Sequence, residues 1–314
     1  MVATKEQEIL KAGEVFRLLS VDQNPYFDPS SNIVLITFDD NYVGISINLM
    51  LSVARHNPEV SFVCMCPKLK QENMEKLMAL KQGLQVRCYH FESPVDTGPL
   101  PACAVFRIFC PWLLPEEIGK LLYIDPDVLC TGSLADAFKL DVECIGMCNE
   151  ICGNVDQLHQ ETVRLITPTE IYCNAGVVLM NLNNIRRDYS FQQTFEALIE
   201  MGKTMRFLDQ DFLNIYFRGN ITYMNGFHYN FQAYELRKTE FYEQALNNCR
   251  LIHFSVGKPW MPTTNLQLIK LYLQHSEYPE MIERCQKAAR GRMLYLPKAA
   301  WLKLWNKVKS VFGK

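Results

Sequence analysis

Two carboxylates separated by a single proline, Asp125-Pro126-Asp127, follow the apolar run Leu121, Leu122, Tyr123 and Ile124 directly. Such a run reads as a buried strand that carries both aspartates to one edge of a sheet. Neither LLYI before them nor VLCT after them contains Lys or Arg, so the pair is mutually repulsive unless a cation joins it. Hard divalent ions such as Mg²⁺ and Mn²⁺ take oxygen ligands and share them with phosphates. The competing reading is a solvated turn bent at Pro126. A second triplet, Asp209-Gln210-Asp211, stands where a helix over 208–217 should begin. There Asp209 reads as the cap, leaving the Gln210 amide available to a ligand. His253 lies in the short apolar run 251–254 and is followed by Gly257, Lys258, Pro259 and Trp260. Alone it reads as a satisfied buried histidine. Beside the aspartates, a neutral imidazole completes an oxygen-rich shell, Gly257 admits close backbone approach, and Lys258 neutralises phosphate oxygens. That set describes a metal–diphosphate site.

The elements that must bring these residues together alternate. Strands are expected over 32–38, 60–66, 84–91, 121–124, 176–181 and 251–254. Helices are expected over 46–55, 70–83 and 208–217, with another carrying Phe106, Phe109 and Trp112. This rhythm predicts an α/β fold whose mainly parallel sheet is covered on both faces. In such sheets ligands sit beyond the carboxyl ends of the strands. Three runs end there in polar clusters, at Asp39-Asp40-Asn41, at Asp125-Pro126-Asp127 and at Ser255 to Lys258, and these clusters are expected to converge.

The totals fit one large domain with appendages. Of 314 residues, 48% are hydrophobic and 21% charged, which supports a substantial core. No apolar run approaches the ~18 residues that span a bilayer. The opening MVATKEQEILKAGEVF has no apolar signal-peptide core. The 12 cysteines are scattered through apolar segments without zinc-site spacing, which points to reduced thiols in a cytoplasmic protein. A net charge of −2 hides a division: residues 284–314 hold nine of the 32 basic residues and none of the 34 acidic ones. The expected organisation is a polar extension over 1–31, a globular domain over 32–283 and a basic tail over 284–314. After Pro297 a helix would place Trp301, Leu304, Trp305, Val308 and Phe312 on one stripe, with Lys303, Lys307, Lys309 and Lys314 off it. That pattern suits the anionic inner face of a membrane; the alternative is a helix docked on the protein's own core. Nothing suggests a nucleic-acid partner.

Motifs in one consistent order, from about Ile33 to Trp260, identify the chain as resembling the family 8 glycosyltransferases. These are retaining, Mn²⁺-dependent enzymes of the GT-A fold that use nucleotide sugars. The similarity is greatest to bacterial members that extend the lipopolysaccharide or lipooligosaccharide core. The resemblance implies a Rossmann-like, mixed and mainly parallel sheet flanked by helices, with 32–283 as the catalytic domain. In Phe38-Asp39-Asp40-Asn41-Tyr42 it implies that Thr37 and Asp39 hold uracil, Asn41 the ribose, and Tyr42 stacks beneath the base. Arg107, in AVFRIF, corresponds to an arginine that reaches the donor. Asp125, Asp127 and His253 correspond to the metal ligands, for Mn²⁺ or Mg²⁺. Within YCNAGVVLMNLNNIRR, residues Asn174, Ala175 and Gly176 would line the donor sugar, and Asp209 and Gln210 would meet its hydroxyls and reacting face. Lys258 and the backbone of Gly257 would meet the diphosphate. The family usually runs His-x-x-Gly-x-x-Lys-Pro-Trp; this chain is one residue shorter, with its glycine displaced. The implied activity moves glucose or galactose from a UDP-sugar to a lipid-linked saccharide acceptor. An amide at Gln210 is a poor nucleophile, which favours front-side attack over double displacement. The alternative function is a self-glucosylating scaffold of the kind that primes glycogen, or a non-catalytic nucleotide-sugar-binding protein.

Overall fold

The computed structural model describes residues 11–22, 24–92, 102–150, 171–234 and 240–293. Strands β2 (Ile33–Thr37), β3 (Ser61–Cys66) and β5 (Lys120–Ile124) are buried along almost their whole length. A strand with no solvated side needs cover on both faces. Alternate residues of β2 supply it: Val34 and Ile36 pack with Ile47, Met50 and Val53 of the helix Val43–His56. On the other face, Ile33 and Leu35 join Phe106 and Phe109 of the helix Ala102–Leu113.

The main sheet adds β1 (Arg17–Asp22), β4 (Val86–Glu92), β7 (Ile145–Asn149), β8 (Cys173–Asn181) and β9 (Ile221–Met224), in the order β1-β4-β3-β2-β5-β8-β7-β9. Pairings among β4, β3, β2 and β5 are parallel, as is β7 with β9, while β8 runs antiparallel to both of its neighbours. The sheet is therefore mixed and mainly parallel, as expected. Strand β1 lies within the stretch read as a polar extension and pairs antiparallel with β4 at the edge.

A second sheet of three short strands was not anticipated. It comprises β6 (Val128–Cys130), β10 (Phe231–Gln232) and β11 (Leu251–His253). The run 251–254 thus belongs to this small sheet, where His253 is the register partner of Val128. Its antiparallel pairing with β6, the strand that leaves Asp127, brings His253 to the aspartates.

The helix expected over 46–55 starts one turn earlier, at Val43, because Val43 continues the buried stripe of Ile47 and Met50. The helix Pro279–Met293 crosses the expected boundary at 284 and buries Met281, Cys285, Ala288 and Ala289 while exposing Arg284, Lys287 and Arg290. The stripe from Trp301 to Phe312 lies outside the described residues. Among the described residues no helix is long and apolar enough to cross a membrane. Their cysteines are free and, apart from Cys103, buried.

Candidate active site

Asp125 and Asp127 leave β5 beside His253, and one ligand atom from each lies within 4.8 Å of the others. Each aspartate is fastened by one oxygen and presents the other. Asp125 Oδ1 accepts from the Tyr123 hydroxyl at 2.6 Å and from Arg107 Nη1 at 3.2 Å, leaving Oδ2 3.8 Å from His253 Nε2. Asp127 Oδ2 pairs with the Lys258 ammonium, while Oδ1 stands 3.3 Å from the same His253 nitrogen. Burial would raise the Asp127 carboxyl, but the charge of a protonated His253 and the Lys258 ammonium outweigh it and hold the group well below the usual carboxylate range. Two carboxylate oxygens and an imidazole nitrogen form a donor set that one ion with bonds of about 2.0–2.2 Å can bridge. The residues fit a divalent ion.

The repulsion inferred from the local sequence is thus answered by cations distant in the chain. Arg107 is 6% exposed, so it is no surface ion pair. Its guanidinium pairs with Asp125 and Asp209, donates to the Ala175 carbonyl at 2.6 Å, and lies 4.4 Å from the Tyr123 ring centroid. The expected cap role of Asp209 fails for this reason: its carboxylate is committed to Arg107, and Phe207 is the N-cap residue. Asp211 holds the helix start instead, accepting from the Arg206 and Phe207 backbone N–H groups at 2.9 Å each. Leu208, directly before Asp209-Gln210, has φ of 49°, a left-handed conformation that costs a side-chain-bearing residue on the order of 1–3 kcal/mol.

The three polar clusters converge. Thr37, Asp39, Tyr42, Arg107, Asp125, Asp127 and Lys258 share a cleft of about 390 Å³ beyond the ends of β2 and β5. Asp39 accepts from the Asn41 backbone N–H at 2.9 Å, and Asn41 is exposed beside it. Asp40 turns away, its Oδ1 accepting from Lys70 N and Asn73 Nδ2. Tyr42 precedes the first helical residue, and burial pushes its hydroxyl pKa up. Gly257 has φ of 76°, the left-handed region that favours glycine.

Along β8, Gln210 Oε1 accepts from Ala175 N at 3.2 Å and its Nε2 donates to the Tyr172 hydroxyl at 3.1 Å. Asn174 is buried, its Oδ1 accepting from Gly176 N. Gly176 packs under the imidazole: a Cβ there would stand 2.3 Å from His253 Cε1 and 2.6 Å from Nδ1. Gly176→Ala should therefore displace the ring, lowering the affinity of any divalent ion held there about 10–100-fold. Overpacking should cost about 1–3 kcal/mol of stability. Isothermal titration with a parallel thermal melt checks this; unchanged affinity in a folded variant would show that the contact is irrelevant to the ligand.

The sequence pattern of Glycosyl transferase family 8 matches residues 33–264. The chain belongs to that family. It is 23% identical over 279 residues to a lipopolysaccharide 1,2-glucosyltransferase of Escherichia coli strain K12, covering 82% of this chain and 79% of that one. It is 24% identical over 199 residues to a putative glycosyltransferase of Haemophilus influenzae, covering 59% of this chain but only 58% of that protein's length. A solved galactosyltransferase, LgtC, in complex with donor and acceptor sugar analogs, superposes with a TM-score of 0.64. At 21% identity, that match covers 79% of this chain and 98% of LgtC. The fold is GT-A.

Several residues of this candidate site carried no sequence signal. Tyr123, within the apolar run, is the hydroxyl donor to Asp125. Asn230 bonds His253 Nδ1 at 2.8 Å from its Oδ1, and Glu150 receives Asn174 Nδ2 at 2.9 Å. A polar residue beside a strand is common; these acquire meaning only through partners 23 and 24 positions away.

Proposed function

We propose that this protein is a retaining glycosyltransferase. It moves glucose or galactose from a UDP-sugar to a saccharide acceptor of the lipopolysaccharide-core type, using Mn²⁺ or Mg²⁺. The observation that carries the reading is the meeting of Asp125, Asp127 and His253 beside Lys258, at the end of a cleft whose other wall includes Thr37, Asp39 and Tyr42. Mg²⁺ prefers oxygen ligands, so the imidazole favours Mn²⁺ of the two. When bound, the ion would neutralise charge developing on the leaving diphosphate.

The protein's own groups divide the remaining work. Lys258, raised in pKa by Asp127 against the lowering effect of burial, stays protonated as a second positive charge for the diphosphate. Arg107 keeps Asp125 and Asp209 in place. The Gln210 amide is held at both ends, with its oxygen already accepting from Ala175 N. Asp211 is fully buried and bonded to Tyr172, Arg206 and Phe207. Neither is placed as a nucleophile, which supports front-side attack with the leaving phosphate taking the acceptor proton. A trapped covalent sugar adduct on Gln210 or Asp211 of the unmodified protein would contradict that route.

Titrating UDP into wild-type protein and into Asp125→Asn, with and without Mn²⁺, tests the site. The reading expects metal-dependent UDP binding in the wild type alone. Intact mass after incubation with donor and Mn²⁺ separates transfer from self-glycosylation: a mass increase without acceptor would favour a self-glucosylating scaffold. The lysine-rich segment after Pro297 is proposed to hold the enzyme at the anionic inner membrane face, each lysine contributing about 1 kcal/mol. Deleting residues 301–314 should abolish salt-sensitive binding to anionic vesicles and spare donor hydrolysis; vesicle binding that survives would remove the tail as anchor.

A further inference from the structure

A chain of buried amides runs behind His253. His253 Nδ1 lies 2.8 Å from Asn230 Oδ1, Asn230 Nδ2 lies 2.8 Å from Asn174 Oδ1, and Asn174 Nδ2 lies 2.9 Å from Glu150 Oε2. Asn174 Oδ1 also accepts from the Gly176 backbone N–H at 2.9 Å. Asn230, Asn174 and His253 are 1%, 7% and 3% exposed, so water is a poor substitute for any of these partners.

The direction of this chain can be deduced without assuming how either amide is turned. A backbone N–H only donates and a carboxylate only accepts. Gly176 N–H therefore fixes the oxygen of Asn174 on its side, and Glu150 fixes the NH₂ group on the other. Turning Asn174 round would set donor against donor at Gly176 and acceptor against acceptor at Glu150. With Asn174 Oδ1 facing Asn230, the Asn230 group that meets it must be NH₂. Asn230 Oδ1 then faces the imidazole, and only a protonated Nδ1 can donate to it. In the neutral ring the lone pair is left on Nε2, the nitrogen that stands 3.3 Å from Asp127 and 3.8 Å from Asp125. The opposite tautomer would let Nε2–H donate to Asp127, but it would leave a lone pair facing a lone pair at Asn230. A buried polar group left without its bond is costly, because water cannot replace the lost partner.

We infer that Asn230 is a positioning residue which, anchored through Asn174 by Gly176 and Glu150, locks His253 in the Nδ1–H tautomer and aims its Nε2 lone pair at a divalent cation shared with Asp125 and Asp127. The inference rests on reading these three residues as a metal centre. It adds how the ring is set before any ion arrives: the bond to Asn230 holds the lone pair toward two carboxylates, and a cation standing between them would be met by a ligand already in place.

The test uses metal-free, full-length protein with ¹⁵N-labelled histidine, observed by NMR at a pH where the ring is neutral. The expected His253 signature is a protonated-type Nδ1 and an unprotonated-type Nε2. Asn230→Asp keeps an acceptor for Nδ1–H and should retain that signature. Asn230→Leu removes the acceptor, so the tautomers should mix and Mn²⁺ affinity by titration should fall about 10–100-fold. An Nε2–H signature in the wild type would overturn the inference, and needs no variant to fold. So would a folded Asn230→Leu protein with wild-type Mn²⁺ affinity. An Nδ1–H signature in a wild type that binds no Mn²⁺ would overturn it by a separate route, through the metal centre on which it rests.

Discussion

Asp127→Asn should lower sugar transfer by at least about 10²–10³-fold, the scale on which removing one preorganised stabiliser of developing charge is felt. The substitution preserves shape. It removes the charge that Lys258 pairs with and the oxygen that stands 3.3 Å from His253 Nε2. UDP release and Mn²⁺ titration should fall together while circular dichroism stays unchanged. A variant that keeps turnover in the presence of Mn²⁺ would remove Asp127 from the site.

Arg107→Met carries the largest expected effect on stability. The guanidinium holds two carboxylates, Asp125 and Asp209, with 26% and 12% of their side chains exposed. Taking away one partner of a buried ion pair strands the other charge at about 3–5 kcal/mol. The lower end applies here, because Asp125 keeps contact with water. The denaturant midpoint should fall accordingly, and adding Asp209→Asn to Arg107→Met should restore part of the loss. Arg107→Lys should not rescue, since a point charge cannot reach Asp125, Asp209 and the Ala175 carbonyl as the planar fork does. A loss of unfolding free energy below about 0.5 kcal/mol in Arg107→Met would show that the carboxylates do not depend on it.

The central strands were legible because a strand covered on both faces is a continuous apolar run: NIVLITF, VSFVCMC and KLLYI declare themselves. The edges were not. Strand β1 exposes Leu18 and Leu19 and buries neither, so it has no inward side to betray it. Strands β6, β10 and β11 are two or three residues long, too short for any period. The aspartate pair was legible because charge placed directly after a buried run is unusual. Asp209 misled because capping and pairing with a distant arginine look alike in one dimension; Arg107 lies 102 positions away in the sequence. Asn230 and Glu150 were silent for the same reason, since their partners are assembled only when the small sheet closes on β8.

The central claim, metal-dependent transfer from a UDP-hexose, is tested most directly by incubating wild-type protein with UDP-glucose, UDP-galactose or UDP-N-acetylglucosamine, with Mn²⁺ or with chelator, and following UDP release and the sugar by NMR. The account predicts release from UDP-glucose or UDP-galactose with Mn²⁺, an α-configured hexose as the first product, and silence with chelator. Turnover that persists in chelator, a β-configured first product, or a clear preference for the N-acetylated donor would contradict it.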